Sequence, residues 1–222
     1  MSADHVGSSD AESGASESRH AARSAQTRAK LIASARALFA DRGFVAVGIE
    51  EIVRSANLTR GALYHHFRDK EDLFLAVYEQ VESDLTIEIA QMVDGVPDAD
   101  GALTPGVAES PWQALELGAA RFLAACGEPE VQRIALLDAP AVLGWETWRE
   151  VGSRYGLGLI EGVLAAAIET GELEEQPVGT LAHMLMGAID ELALLVARAD
   201  DQATAYTEAT ASFARLLAGL RR

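Results

Sequence analysis

The stretch from Ile49 to Lys70 admits few folds. In Ile49-Glu50-Glu51-Ile52-Val53-Arg54-Ser55-Ala56-Asn57-Leu58, residues Ile49, Ile52, Val53 and Ala56 share one face of a short helix. Asn57 then tolerates the left-handed backbone that a tight turn between helices needs. In Thr59-Arg60-Gly61-Ala62-Leu63-Tyr64-His65-His66-Phe67-Arg68-Asp69-Lys70, Thr59 offers its side-chain oxygen as a cap, and the helix behind it buries Leu63 and Phe67. Such a pair of helices reads as a helix-turn-helix, whose second helix enters the DNA major groove.

The rest of the chain is patterned for helices. Leu31, Ile32, Ala35, Leu38 and Phe39 form a stripe over residues 27–41, stopped by Gly43. Asp69 and Asp72 cap a long helix over about residues 70–93, striped by Phe74, Val77, Val81, Leu85, Ile89 and Met92. At 1.5 Å per residue it reaches roughly 35 Å, enough to join two domains rigidly. Residues 94–111 are rich in Pro and Gly and read as a loop. Trp112, Leu115, Ala119, Phe122 and Cys126 then fall at 3,4,3,4 spacing. Pro129 opens a short helix expected to end before Pro140. Residues 141–170 carry five glycines, Gly144, Gly152, Gly156, Gly158 and Gly162, and a kink is expected near 152–158. Gly171 ends that segment, and two further helices follow at about 177–199 and 201–220. No segment alternates convincingly as a strand, so the fold class is all-α. Three regions are expected: a disordered arm over 1–24, a DNA-binding domain over 25–85 with its helix-turn-helix at 48–67, and a C-terminal domain over 86–222.

Charge sharpens this division. The chain of 222 residues has a net charge of −16, which by itself repels phosphate. Residues 19–72, however, hold ten bases against six acids, while residues 73–222 hold eight against twenty-four. The basic footprint therefore coincides with the helix-turn-helix. Cys126 is the only cysteine, which excludes an intramolecular disulfide and fits a reducing cytoplasm. Residues 1–24 have no apolar run and do not read as a secretory signal. The apolar window 181–199 is interrupted by His183, Asp190 and Glu191, which favours a bundle helix over a membrane span.

Residues 27–82 resemble the tetracycline-repressor (TetR) family of bacterial transcriptional regulators. The resemblance rests on Thr27-Arg28, Phe39 with Gly43-Phe44, Glu51-Ile52-Val53, the run Ala56 to Phe67, and Lys70-Glu71-Asp72-Leu73-Phe74. It implies an N-terminal three-helix DNA-binding domain joined by a long helix to a helical ligand-binding and dimerisation domain. Where the family often has Ser or Thr at the start of its second helix, this chain has Val47 and Gly48, so phosphate there would meet backbone N–H groups. Tyr64 and Lys70 resemble the family's phosphate clamps.

The expected DNA-contacting set is Gly48, Thr59, Arg60, Gly61, Ala62, Tyr64, His65, His66 and Lys70. Arg60 has the fork for bidentate bonds to guanine O6 and N7, and Gly61 and Ala62 let the helix press into the groove. His65 and His66 project about 100° apart on a helix, which disfavours a shared metal ion, and no metal site is expected. Arg19, Arg23, Arg28 and Lys30 are candidates for phosphate or minor-groove contact, or a merely solvated face.

The C-terminal half offers a weaker set of ligand candidates: Trp112, Phe122, Asp138, Trp145, Trp148, Tyr155, His183, Met186 and Asp190. Aromatic walls suit a pocket for a flat or greasy molecule, and equally a plain core. A buried Asp190 needs a partner, for which Arg149, Arg121 or a ligand donor qualifies. One helix-turn-helix covers too little DNA for tight specific binding, so a homodimer on a palindromic operator is expected. Its interface would use the last two helices, through Leu181, Leu185, Ala188, Leu192 and Leu195 on one and Phe213, Leu216, Leu217 and Leu220 on the other; the alternative is that both stripes are internal core. No nucleophile elbow, phosphate loop or metal-ligand spacing is present, so neither catalysis nor a cofactor is expected. Double-stranded DNA, a second copy of the chain and an unidentified small molecule are the expected partners, with no membrane. A helix-turn-helix protein acting only through protein contacts is the competing reading, against which the positive charge of 19–72 argues.

Overall fold

The computed structural model describes residues 9–97, 103–106 and 108–222. The architecture is all-α. Helices α1 (Ser9–Ala46), α2 (Ile49–Ser55) and α3 (Arg60–His66) form a head, and α4 (Lys70–Asp94) leaves the head and enters the body. The body consists of α5 (Pro111–Cys126), α6 (Pro129–Val131), a π-helical segment (Gln132–Asp138), α7 (Ala139–Leu143), α8 (Trp145–Glu169), α9 (Val178–Arg198) and α10 (Gln202–Ala218).

Local signals explain the head. Gly43 adopts φ 77° and breaks α1 from its last few residues, so the helix proper stops where the glycine allows a left-handed turn. Asn57, at φ 54°, makes the corresponding turn between α2 and α3. Asp69 and Asp72 form a reciprocal cap on α4: Asp72 N–H donates to Asp69 Oδ1 at 2.7 Å, and Arg68 N–H donates to Asp72 Oδ2 at 3.0 Å. Leu31, Ala35, Phe39, Ile52, Leu63, Phe67 and Phe74 close the head's core. Phe39, Phe44 and Phe74 meet there with ring centroids 5.0–5.7 Å apart.

Four expectations are corrected. The arm expected to be disordered over 1–24 is helical from Ser9 onward, continuous with α1, while residues 1–8 lie outside the described residues. Residues 9–24 contain no proline and are rich in Ala, Ser and Glu, which a helix already nucleated downstream can absorb. The loop over 94–111 contains a small antiparallel pair, β1 (Gly95–Pro97) with β2 (Leu103–Pro105). The kink expected at 152–158 is absent: α8 runs unbroken from Trp145 to Glu169, and the break falls instead at Gly144, with φ 82°. Helical glycine costs propensity without breaking this helix, and Met186 Cε of α9 lies 3.5 Å from where a Cβ of Gly156 would stand, an ordinary contact distance.

The fourth correction concerns Pro140, which does not end its helix. The chain widens into π geometry over Gln132–Asp138 and continues through Pro140 to Leu143. In a π turn the N–H of residue 140 would bond the carbonyl of Ala135, and proline has none to give. Trp148 Nε1–H supplies the missing bond to Ala135 O at 2.8 Å.

Polar contacts tie head to body. Arg36 of α1 forms a fork with Glu130 Oε1 and Oε2, each at 2.8 Å, and also pairs with Asp84. Asp138 Oδ2 accepts from Phe44 N–H at 2.7 Å, just past the Gly43 turn. Helices α8 and α9 are long and apolar enough to cross a membrane, yet both pack against the body core.

Candidate DNA interface and ligand cavity

The outer face of α3 is the most clearly prepared surface of the head. Thr59 Oγ1 accepts from Ala62 N–H at 3.2 Å and fixes the start of the helix, while buried Leu63 and Phe67 anchor its inner side. Arg60, Gly61, Tyr64 and His65 are exposed on the other side, and Ala62 and His66 are half-buried. A Cβ on Gly61 would touch only Thr59 Oγ1, at 3.9 Å, so nothing in the protein crowds that spot. Arg60 Nη1 donates to Glu50 Oε1 at 2.9 Å, and its guanidinium lies 5.4 Å from the Tyr64 ring centroid. These contacts hold the fork against α2 in the unbound protein. Exposed ion pairs of this kind contribute little, so releasing Arg60 toward a base costs little.

Lys70 stands differently. Its Nζ donates to Phe44 O at 2.9 Å and Val47 O at 3.0 Å, and lies 4.0 Å from the Phe44 ring centroid. Burial holds its pKa below the usual lysine value. It ties down the chain between α1 and α2, so any phosphate contact must share an ammonium already bonded twice. Gly48 is exposed at the start of α2 with no side-chain cap, and Glu50 and Glu51 occupy the first turn, which weakens the pull of that helix end on phosphate. The His65 and His66 rings lie edge-on at 5.1 Å, and burial, with His65 and Arg28 nearby, lowers the His66 pKa. Among the described residues no cluster of three potential metal ligands occurs.

In the body, a partly open cavity of about 140 Å³ lies between α4, α5, α8 and α9. Of the ligand candidates, Phe122, Trp148, Met186 and Asp190 line it. The other five do not. Trp112 is fully buried in the core, with Nε1–H on Glu116 Oε1 at 3.0 Å. Asp138 is spent on Phe44, and Tyr155 packs half-buried against the core. Trp145 is 55% exposed and lies against Trp148 from outside, and His183 is exposed. Helical spacing placed these side chains within a turn of the right face, but neighbouring helices decide which of them look inward.

Four polar groups of the cavity stand out. Arg149 Nη1 contacts Asp190 Oδ2 at 2.6 Å, the ion pair for which Arg149 was one candidate. Burial pushes the Asp190 carboxyl up to about 6, against the pull of Arg149. Glu82 was missed, although Tyr78, Glu82, Leu85 and Ile89 follow one another at 4,3,4 spacing on α4, a carboxylate set in an apolar stripe. Burial and the like charge of Asp190 push it up to about 7, partly offset by a hydrogen bond from Tyr78. Tyr78 also donates to Trp148 O at 3.1 Å.

The apolar stripes expected at a dimer interface divide. Leu181, Leu185, Phe213 and Leu217 are buried within this chain, Ala188, Leu192 and Leu220 are half-buried, and Leu195 and Leu216 remain exposed, beside Met184.

A compact three-helix head with a capped, outward-facing recognition helix defines a helix-turn-helix DNA-binding protein. Comparison with known proteins makes the class specific. Residues 31–77 match the family described as bacterial regulatory proteins, tetR family, and residues 112–220 match the tetracyclin repressor-like C-terminal domain. A TetR-family transcriptional regulator from Pectobacterium atrosepticum superposes with a TM-score of 0.76 and 31% identity, over 90% of this chain and 96% of that one. The transposon Tn10 TetC protein of Escherichia coli is 28% identical over 168 residues, 76% of this chain and 79% of its own. RolR, solved in complex with resorcinol, superposes with a TM-score of 0.61 and 25% identity, over 88% of this chain and 89% of that one. The chain belongs to the TetR family of transcriptional regulators and carries its helix-turn-helix DNA-binding domain.

Proposed function

We propose that this protein is a cytoplasmic homodimeric repressor that binds a palindromic operator and leaves it when a small molecule occupies the body cavity. The observation that carries the reading is the outward face of α3, where Arg60, Gly61 and Tyr64 are exposed on a helix capped by Thr59 and anchored by Leu63 and Phe67. Two such helices on half-sites a helical turn of roughly 34–36 Å apart, or a multiple of it, would supply specificity that one cannot. Exposed Met184, Leu195 and Leu216 support pairing through α9 and α10. The cavity supports a ligand, as does the resorcinol held by RolR. A ligand releases DNA only as far as it prefers the conformation whose heads no longer match the half-sites. The ties of Arg36 to Glu130 and of Asp138 to Phe44 run from the cavity-bearing body to the head, which is where such a preference would be transmitted.

The test is retardation of DNA from upstream of the protein's own gene at low and moderate salt. Specific binding that weakens linearly with log salt supports the reading. A folded protein that retards no such duplex at low salt overturns it.

A further inference from the structure

The cavity holds one more negative group than it balances. Arg149 and Asp190 neutralise each other across α8 and α9 at 2.6 Å. Glu82 lines the same space, and among the described residues no Lys or Arg pairs with its carboxyl, the one cation of the cavity lining, Arg149, being held by Asp190. The ionisable groups around it are Tyr78 on its own helix, Cys126 from α5, Arg149 from α8 and Asp190 from α9. Tyr78 brings a single phenolic proton, which it donates to the Trp148 carbonyl at 3.1 Å. An unpaired carboxylate among apolar walls is costly as an anion, and two things relieve that cost: a proton, or a positive charge delivered by a ligand.

We propose that this cavity binds a hydrophobic organic cation, its ammonium or amidinium group paired with Glu82 and its apolar body against Ile89, Leu115, Phe122, Leu185 and Ile189. The inference rests on the cavity being the ligand chamber and adds the charge of what enters. A cation exchanges for the proton on Glu82 and leaves the Arg149–Asp190 pair intact. A neutral ligand leaves Glu82 to its proton and gains nothing from it. An anion meets Glu82 and Asp190 and must take Arg149 from its partner, stranding a buried carboxylate. Opposite charge and apolar walls therefore select one ligand class out of three.

Three probes with one ring system separate the classes: 1-naphthylmethylamine, 1-naphthylmethanol and 1-naphthoate, titrated calorimetrically into the full-length protein. At about pH 8 the amine binds at least about tenfold more tightly than the alcohol, and at about pH 5.5 most of that advantage is lost because the proton holds Glu82. Glu82→Gln, close in shape to the protonated acid, abolishes both the advantage and its pH dependence while alcohol binding stays within about threefold. Should that variant fold poorly, the wild-type comparison at the two pH values decides alone. Equal or tighter binding of the alcohol or the naphthoate at about pH 8 overturns the cation inference and leaves the chamber standing, as does an amine advantage that survives Glu82→Gln. Failure of all three probes to bind overturns the inference together with the chamber.

Discussion

At the residue scale, two side chains illustrate opposite settings of charge. Arg60 is exposed and held only by Glu50 and Tyr64, so its fork is available to a base at small cost. Replacing it by Ala should weaken specific operator binding by roughly 1–3 kcal/mol and relax preference at one base pair, while non-specific binding falls little. Fluorescence anisotropy with operator and scrambled duplexes reads both, and equal losses on the two would make Arg60 a phosphate contact instead. Glu82 is the reverse, a carboxyl whose charged form the fold disfavours. Its ordinary value of 4.5 rises to about 7 on folding. Between those values the native state holds a proton that the unfolded chain has released, so stability falls as pH rises through the window. The contribution is complete below about pH 4.5 and gone above about pH 7. At 1.36 kcal/mol per pH unit the loss reaches about 3 kcal/mol at most. Glu82→Gln should therefore melt higher than wild type at about pH 8 and alike at about pH 4.5 in calorimetry. A melting difference that does not change with pH would place Glu82 in contact with solvent.

At the scale of elements, the segment from Pro129 to Leu143 shows how one missing donor reshapes a helix. Pro140 leaves the Ala135 carbonyl unsatisfied within the π turn, and buried Trp148 donates to it across α8. Trp148→Phe keeps an aromatic ring but removes the donor along with part of the buried indole, and should cost at least about 1–3 kcal/mol in urea unfolding. Trp145→Phe, on an exposed ring one turn away, should stay within about 0.5 kcal/mol. Similar losses for both would dissociate the π turn from the indole bond. This element also marks where sequence reading stops. Asn57, Gly43, Thr59, Asp69 and Asp72 act through their own neighbours within a few residues, and the turns and caps of the head were legible for that reason. The Pro140 bypass depends on an indole eight positions later, and the packing of α8 at Gly156 involves Met186 from α9. Neither leaves a local signature. The cavity behaves likewise: apolar spacing found Phe122, Trp148, Met186 and Asp190, but facing helices turned Trp145 and His183 outward. Glu82 alone had a local sign, an acid inside the apolar stripe of α4, which the emphasis on aromatic residues passed over.

At the scale of the whole molecule, the charge asymmetry and the exposed apolar residues bear on one question, how an acidic protein grips a polyanion. The body, with its excess of acids, is repelled by phosphate, and only the basic heads can approach. One head presents a single seven-residue recognition helix, so useful affinity requires two heads held at a fixed separation. Met184, Leu195 and Leu216 are 66%, 52% and 47% exposed on α9 and α10. Large apolar side chains that lie in the open on adjacent elements mark an interaction surface, and in the proposed homodimer a twofold copy of the same helices would complete a four-helix arrangement. Met184→Glu combined with Leu195→Glu would bury four unpaired carboxylates per dimer. Dissociation should then strengthen by at least about a hundredfold, roughly 3 kcal/mol. Sedimentation at micromolar concentration should show monomer with unchanged helix content. Operator affinity should collapse toward the non-specific level, because the second half-site no longer benefits from a tethered partner, and the slope of log affinity against log salt should fall by about half. If the double variant stays dimeric, the interface lies elsewhere. If it becomes monomeric yet holds the operator as before, the two-headed account of recognition fails, and a single α3 must carry specificity that its length does not suggest.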